Sequence, residues 1–267
     1  MRLRATRTLV GHHWRLHHRP LLPMAAALAL FQYLLTQIAP APNETSWIAG
    51  MLALMPQQMR DLAGGDLAFA STEGFLSTGY QHPFFLLLLS AWAIRVSSAS
   101  LAGEIGRGTM DLLGSRPVRR VEQVWAATCS IAVGLALVVG AAWAGTAIGL
   151  VVRPLGVSAW PFLRVAGAAW LLFMAWGAVG VLASATQREA GPAIAWTSGI
   201  MAVSFVLEYL SRIWTLIEPL RSLSLFAYYH PPEIVRTGLG IFNALCLASA
   251  ALALTLAAIV VFRRRDL

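Results

Sequence analysis

Histidines, serines, carboxylates and arginines are the side chains here whose type and spacing could do chemistry. His12, His13, His17 and His18 cluster near the N-terminus, and the i, i+4 pair His13–His17 has a spacing able to hold a metal on one helix face. No carboxylate or cysteine stands nearby to complete a coordination sphere. The expected reading is a basic segment lying on anionic headgroups, and no metal site is assigned. Trp196-Thr197-Ser198-Gly199 offers hydroxyls, but a serine nucleophile needs a base histidine within reach, and no long apolar run contains one. No catalytic residue is assigned. His82 and His230 stand singly and are read as interfacial. Cys129 and Cys246 fall inside apolar runs and are read as small buried hydrophobes.

All 20 basic residues are arginine. A Walker A loop needs a lysine against the nucleotide phosphates, and Schiff-base chemistry needs a lysine amine. The sequence therefore supplies neither a P-loop ATPase nor a pyridoxal-phosphate enzyme.

The elements that must position these residues are set by composition. The chain is 58% hydrophobic and 12% charged over 267 residues, where a soluble domain is about 45–50% apolar and about 25% charged. A spanning helix needs about 20 mostly apolar residues, and six stretches qualify: 21–39, 83–102, 124–152, 162–185, 190–210 and 239–262. The fold class expected is all-α integral membrane with six transmembrane helices. The first apolar run is too long for a signal-peptide core and is read as a retained helix.

With the spans placed, 13 of the 20 arginines fall on one side and five on the other, with Arg95 and Arg164 inside spans. The arginine-rich side is expected to be cytoplasmic, with both termini on it. The charge of +8 is then mainly an orientation signal, and nucleic-acid binding is not expected.

Two segments lie on the outer side. In 40–82, Trp47, Met51, Met55 and Met59 recur every four residues with Ile48 and Leu52 beside them, the pattern of an interfacial helix. In 211–238, Trp214, Phe226, Tyr228 and Tyr229 suit the headgroup level. Arg95 is a candidate pathway residue for an anionic substrate, the alternative being a snorkelling helix-end arginine. Glu208 and Arg212, at i, i+4 near the outer end of the fifth span, read as an interfacial ion pair of little energy, with Glu208 a candidate gate. Asn243 is a candidate for a hydrogen bond between helices.

The cytoplasmic connection 101–121 is the most informative. Ile105, Thr109, Leu112 and Leu113 fall at i, i+4, i+7 and i+8, one face of a short amphipathic helix. Glu104 near its start and Arg116 near its end suit the helix dipole, and Pro117 stops it. Such an element suits docking of a soluble partner.

The run Ala102-Gly103-Glu104, Gly108-Thr109, Leu112-Leu113, Pro117 and Arg119 resembles the ABC-2 type permeases of ATP-binding cassette transporters. Glu73-Gly74-Phe75-Leu76, the stretch from Leu225 to Ile234, and the basic ending Phe262 to Asp266 are similar to further parts of such permeases. The resemblance implies one transmembrane domain over 1–267 in a bacterial or archaeal plasma membrane. It implies a second permease subunit, as a homo- or heterodimer, and separate ATP-binding subunits that carry the ATP and magnesium. It also implies export, with Glu104, Ile105, Gly108, Thr109, Leu112, Leu113, Pro117 and Arg119 coupling to the ATPase. The competing reading is an ion-gradient-driven secondary transporter, which calls for internal repeats and midplane ionisable groups; neither is evident.

Overall fold

The computed structural model describes residues 19–41, 54, 71–108 and 119–265. Six helices long and apolar enough to cross a membrane fall on the six apolar runs. They are α1 (Leu21–Ile38), α3 (Pro83–Ser100), α5 (Arg120–Val152), α6 (Trp160–Thr186), α7 (Ala190–Ser211) and α9 (Ile241–Arg263). Three short helices accompany them: α2 (Thr72–Thr78), α4 (Ala102–Gly106) and α8 (Pro231–Thr237), with 3-10 turns at Glu218–Leu223 and Leu225–Tyr228. No strand occurs among the described residues. The chain is an all-α, multi-pass membrane protein. The expected interfacial helix around Trp47 to Met59 and the N-terminal histidine cluster lie outside the described residues.

Helix α6 is the hub, packing against α3, α5, α7 and α9, while α1 lies along α5. Lipid tails are as apolar as the side chains, so close helix approach in a membrane depends on small residues at the seam. Gly145 and Gly149 of α5 provide it: a Cβ on either would collide with Ala29 or Thr36 of α1.

Arginine closes three helix ends. The last carbonyls of a helix have no partner within it, and a guanidinium supplies several donors without being able to accept. Arg153 donates to Thr36 O, Gln37 O and Ala39 O at 3.2, 2.6 and 2.8 Å, sealing α1. Arg120 donates to Phe262 O and Arg263 O at 3.2 Å and to Arg265 O, sealing α9. Arg265 donates to Ala185 O and Gln187 O at 3.0 and 2.7 Å, sealing α6. Cationic charge at a carbonyl end also opposes the negative end of the helix dipole.

At the end away from the arginine-rich connections, the residues just before α3 and the segment around Phe226 fold inward. Tyr80 and Tyr229 are buried. The Tyr80 hydroxyl lies 2.8 Å from Thr146 Oγ1, and the Tyr229 hydroxyl donates to Tyr80 O at 2.9 Å. Burial pushes both phenols well above their ordinary pKa. Phe226 is buried against Trp176 of α6 and Phe205 of α7, with ring centroids 5.6 and 5.5 Å apart. The Phe226 ring fills space against α6 and α7, where aromatic pairing adds to the area buried. Trp214 is exposed. Cys129 is exposed as well, and not buried as expected.

Candidate functional site

Three places combine polar chemistry with a defined position. The first is the base of α3 at the arginine-rich end. The chain leaves α3 at Ser100 and turns at once into the five-residue α4. Ser184 of α6 pins this corner: its hydroxyl accepts from Ala102 N at 2.8 Å and donates to Ser98 O at 3.3 Å. Glu104 lies in α4 and is 3% exposed. Arg107 donates to its Oε1 at 2.7 Å. Ile105 is half-buried against the core. A Cβ on Gly106 would lie 3.2 Å from Arg188 O, so the end of α4 abuts the connection between α6 and α7.

Gly108 then adopts φ 70°, a left-handed conformation that glycine enters without steric cost. This corrects the expected helix through Ile105 and Thr109: helical backbone ends at Gly106, and the left-handed residue interrupts the run. Thr109, Leu112, Leu113 and Pro117 lie outside the described residues. Arg119 is exposed and caps α5, where Glu122 Oε2 accepts from its backbone N–H at 3.1 Å.

The second place is the opposite end of α7. Glu208 is buried, and Arg212 donates to its Oε1 through Nε and Nη2 at 3.1 and 3.0 Å. Arg221, from the Glu218–Leu223 turn, donates from Nε to Oε2 and from Nη2 to Oε1, each at 3.2 Å. His230, at the start of α8, brings Nε2 within 3.4 Å of Oε1 and 2.6 Å of Arg221 Nη2. A guanidinium cannot accept, so Arg221 is the donor to His230 Nε2, and His230 is tied to the carboxylate through Arg221. One carboxylate thus joins α7, the 3-10 turn and α8. The Glu208–Arg212 pair expected from the spacing is present, Glu208 is buried, and Arg221 and His230 join it there. The i, i+4 spacing gave Arg212, while Arg221 and His230 lie 13 and 22 residues away, beyond any local pattern.

The third place is a groove of about 480 Å³ between α3 and α7, lined by residues including Leu87, Ser90, Ala91, Ser198, Met201 and Ala202 and closed at one side by Phe226. Ser90 donates its hydroxyl back to Leu86 O at 2.7 Å, so the lining is almost wholly apolar. Arg95 is exposed on α3, five residues from the arginine-rich end, and makes no ion pair or hydrogen bond among the described residues. Glu208 and Arg95 are therefore at opposite ends of neighbouring helices. Asn243, in the first turn of α9, is half-buried and joins neither; its side chain makes no hydrogen bond among the described residues. His82 caps α3, its Nδ1 accepting from Phe84 N at 3.2 Å.

No group of three or more histidines, cysteines or carboxylates able to hold a metal occurs among the described residues.

Residues 20–267 match a family model described as ABC-2 family transporter protein. The chain belongs to the ABC-2 transporter family. No curated protein matches it. As an ABC-2 family membrane domain it is a transporter permease. Members of the family work with a partner ATP-binding subunit.

Proposed function

We propose that this chain is the membrane-spanning subunit of an ATP-driven exporter, coupled to a separate ATPase through the 101–121 connection. The arginine-rich end is taken as cytoplasmic on the charge count. The observation that carries the reading is the position of α4. It continues α3 after a single residue, is tied by Ser184 to α6, and abuts the start of α7 at Arg188. A push on α4 therefore acts directly on the two helices that form the groove.

In this mechanism Glu104 is a positioning residue. Buried and held by Arg107, it fixes α4, and the stretch after Gly108 carries the docking contact together with Arg119. ATP and magnesium act on the partner. A second permease subunit packs along the face of α7 turned away from the groove. There Trp196, Ile200 and Val203 are exposed, and Gly199 between them has no atom near where a Cβ would stand, which leaves room for a partner helix to approach. Rocking of the two subunits then opens the groove to either side.

The test uses the full chain co-reconstituted with its ATP-binding subunit in proteoliposomes. The Gly108→Val change puts a β-branched residue at φ 70° and is expected to distort the turn into the docking stretch while leaving the six spans folded. ATPase stimulation and transport should fall together, with assembly of the permease retained. Full stimulation and ATP-dependent transport by the Gly108→Val complex would remove the coupling assignment. Transport that persists without ATP and collapses with the proton gradient would favour the secondary-transporter reading.

A further inference from the structure

The groove between α3 and α7 is apolar along its length and has at its edge Arg95, a charge without an ion pair among the described residues. Leu87, Ala91 and Arg95 follow one another at four-residue spacing and form a single ridge on α3. Leu87 and Ala91 are groove-lining residues, and Arg95 extends their ridge by one turn toward the arginine-rich end. Leu87 is 66% exposed on this ridge, so the groove is open along one side. Across from it, α7 contributes Ser198, Met201 and Ala202. A charged side chain inside a membrane span is costly and marks a pathway or a partner by default.

Snorkelling is the ordinary escape for such an arginine, and the geometry works against it here. Cα–Cβ bonds in a helix tilt toward its N-terminus, and the N-terminus of α3 is the end away from the arginine-rich face. Arg95 thus leaves the backbone tilted toward the end of α3 where the groove lies, from a position about 7.5 Å inside the end of the helix at 1.5 Å per residue. The guanidinium is a planar fork of donors that matches an oxyanion, whether carboxylate, sulfate or phosphate.

We infer that the groove takes an anionic amphiphile as cargo, with its apolar chain along Leu87, Ala91, Met201 and Ala202 and its oxyanion on Arg95. The inference rests on the transporter reading and names the substrate class for that path. Entry is from the leaflet at the arginine-rich end, where a chain-bearing anion already holds its headgroup at the depth of Arg95. The charge faces the only ionised group along the described groove edge, and the chain replaces lipid without exposing apolar surface.

The test is equilibrium binding of dansyl-labelled undecanoate, and of its neutral methyl ester, to the full chain in phosphatidylcholine nanodiscs. Neither measurement needs an ATPase, so a failure here leaves the coupling proposal standing. Saturable binding of the acid, displaced by oleate, is expected. Arg95→Gln should weaken the acid roughly tenfold through loss of a charge-assisted contact and leave the ester unchanged. Arg95→Lys should hold the acid to within about threefold, because the charge stays while the fork is lost. Ala202→Trp should weaken both ligands by filling the groove. Each variant is compared with wild type by thermal melting, and the lysine variant carries the assignment where the glutamine variant melts low. Equal affinity of Arg95→Gln and wild type for the acid overturns the inference. So does binding that never saturates, or an Ala202→Trp variant that binds as wild type. Loss of probe binding when the nanodiscs contain phosphatidylglycerol overturns the cargo assignment in favour of a resident lipid.

Discussion

Replacing Glu208 by glutamine removes the carboxylate on which Arg212, Arg221 and His230 converge. Its side chain is 7% exposed, against 24% for Arg212 and 39% for Arg221. Breaking a fully buried ion pair by removing one partner costs about 3–5 kcal/mol, and an exposed pair is worth about 0–1 kcal/mol. With a buried acid and two partly wetted cations, the expected loss for Glu208→Gln is about 2–3 kcal/mol. Arg221→Gln leaves Glu208 with Arg212, and its greater exposure sets the loss lower, at about 1 kcal/mol. Because Arg221 acts through the carboxylate, the double variant should lose less than the sum of the two single losses, by at least about 0.5 kcal/mol. Unfolding of the full chain in mixed micelles, followed by circular dichroism, gives the four corners of the cycle. Limited proteolysis should show cleavage between Arg212 and Ser224 in both single variants, since the 3-10 turn would lose its anchor to α7. Additivity within about 0.3 kcal/mol, with unchanged cleavage, would refute the hub.

Gly149→Leu forces a large side chain into the place held by Thr36. It is expected to destabilise the α1–α5 seam by about 1–3 kcal/mol or more, read as a lower melting temperature. Arg153→Ala frees the carbonyls of Thr36, Gln37 and Ala39 and should cost about 1–3 kcal/mol in the same melts. Arg153→Lys should recover only part of this, because an ammonium lacks the guanidinium's array of donors. Of the five tyrosines, Tyr80 and Tyr229 should stay protonated through an ultraviolet alkaline titration of the folded chain and ionise only when it unfolds. Their folded pKa lies above the unfolded one, so the native state holds protons that the unfolded state gives up. Stability contributed by this pair is present below about pH 10 and falls as pH rises past it.

The six spans were legible because membrane insertion depends on apolar content averaged over about 20 residues, a quantity local to each stretch. The run from Ala102 to Arg119 was legible as family character, and the family match bears it out. The helix phase inside that run was not. Ile105 and Thr109 look like neighbours on one face, and the left-handed turn at Gly108 separates them. The arginines show a similar limit. Their count orients the chain, yet nothing local distinguishes Arg153, which seals the end of a helix more than 110 residues earlier in the chain, from Arg164, which is exposed.

Hydropathy and charge determined where the six spans fall and which end of each helix lies on the arginine-rich side, while the transporter class came from the resemblance carried by the run from Ala102 to Arg119. Tertiary structure alone decided that Glu208 gathers Arg221 and His230, that Phe226 reaches Trp176, and that an apolar groove runs between α3 and α7 beside Arg95. The physical reason is rotational. A hydrophobic run places a helix in the bilayer with little say over which face meets which neighbour. That choice is made by close contacts such as Gly145 against Ala29 and Gly149 against Thr36. Partners distant in sequence become neighbours only after it has been made.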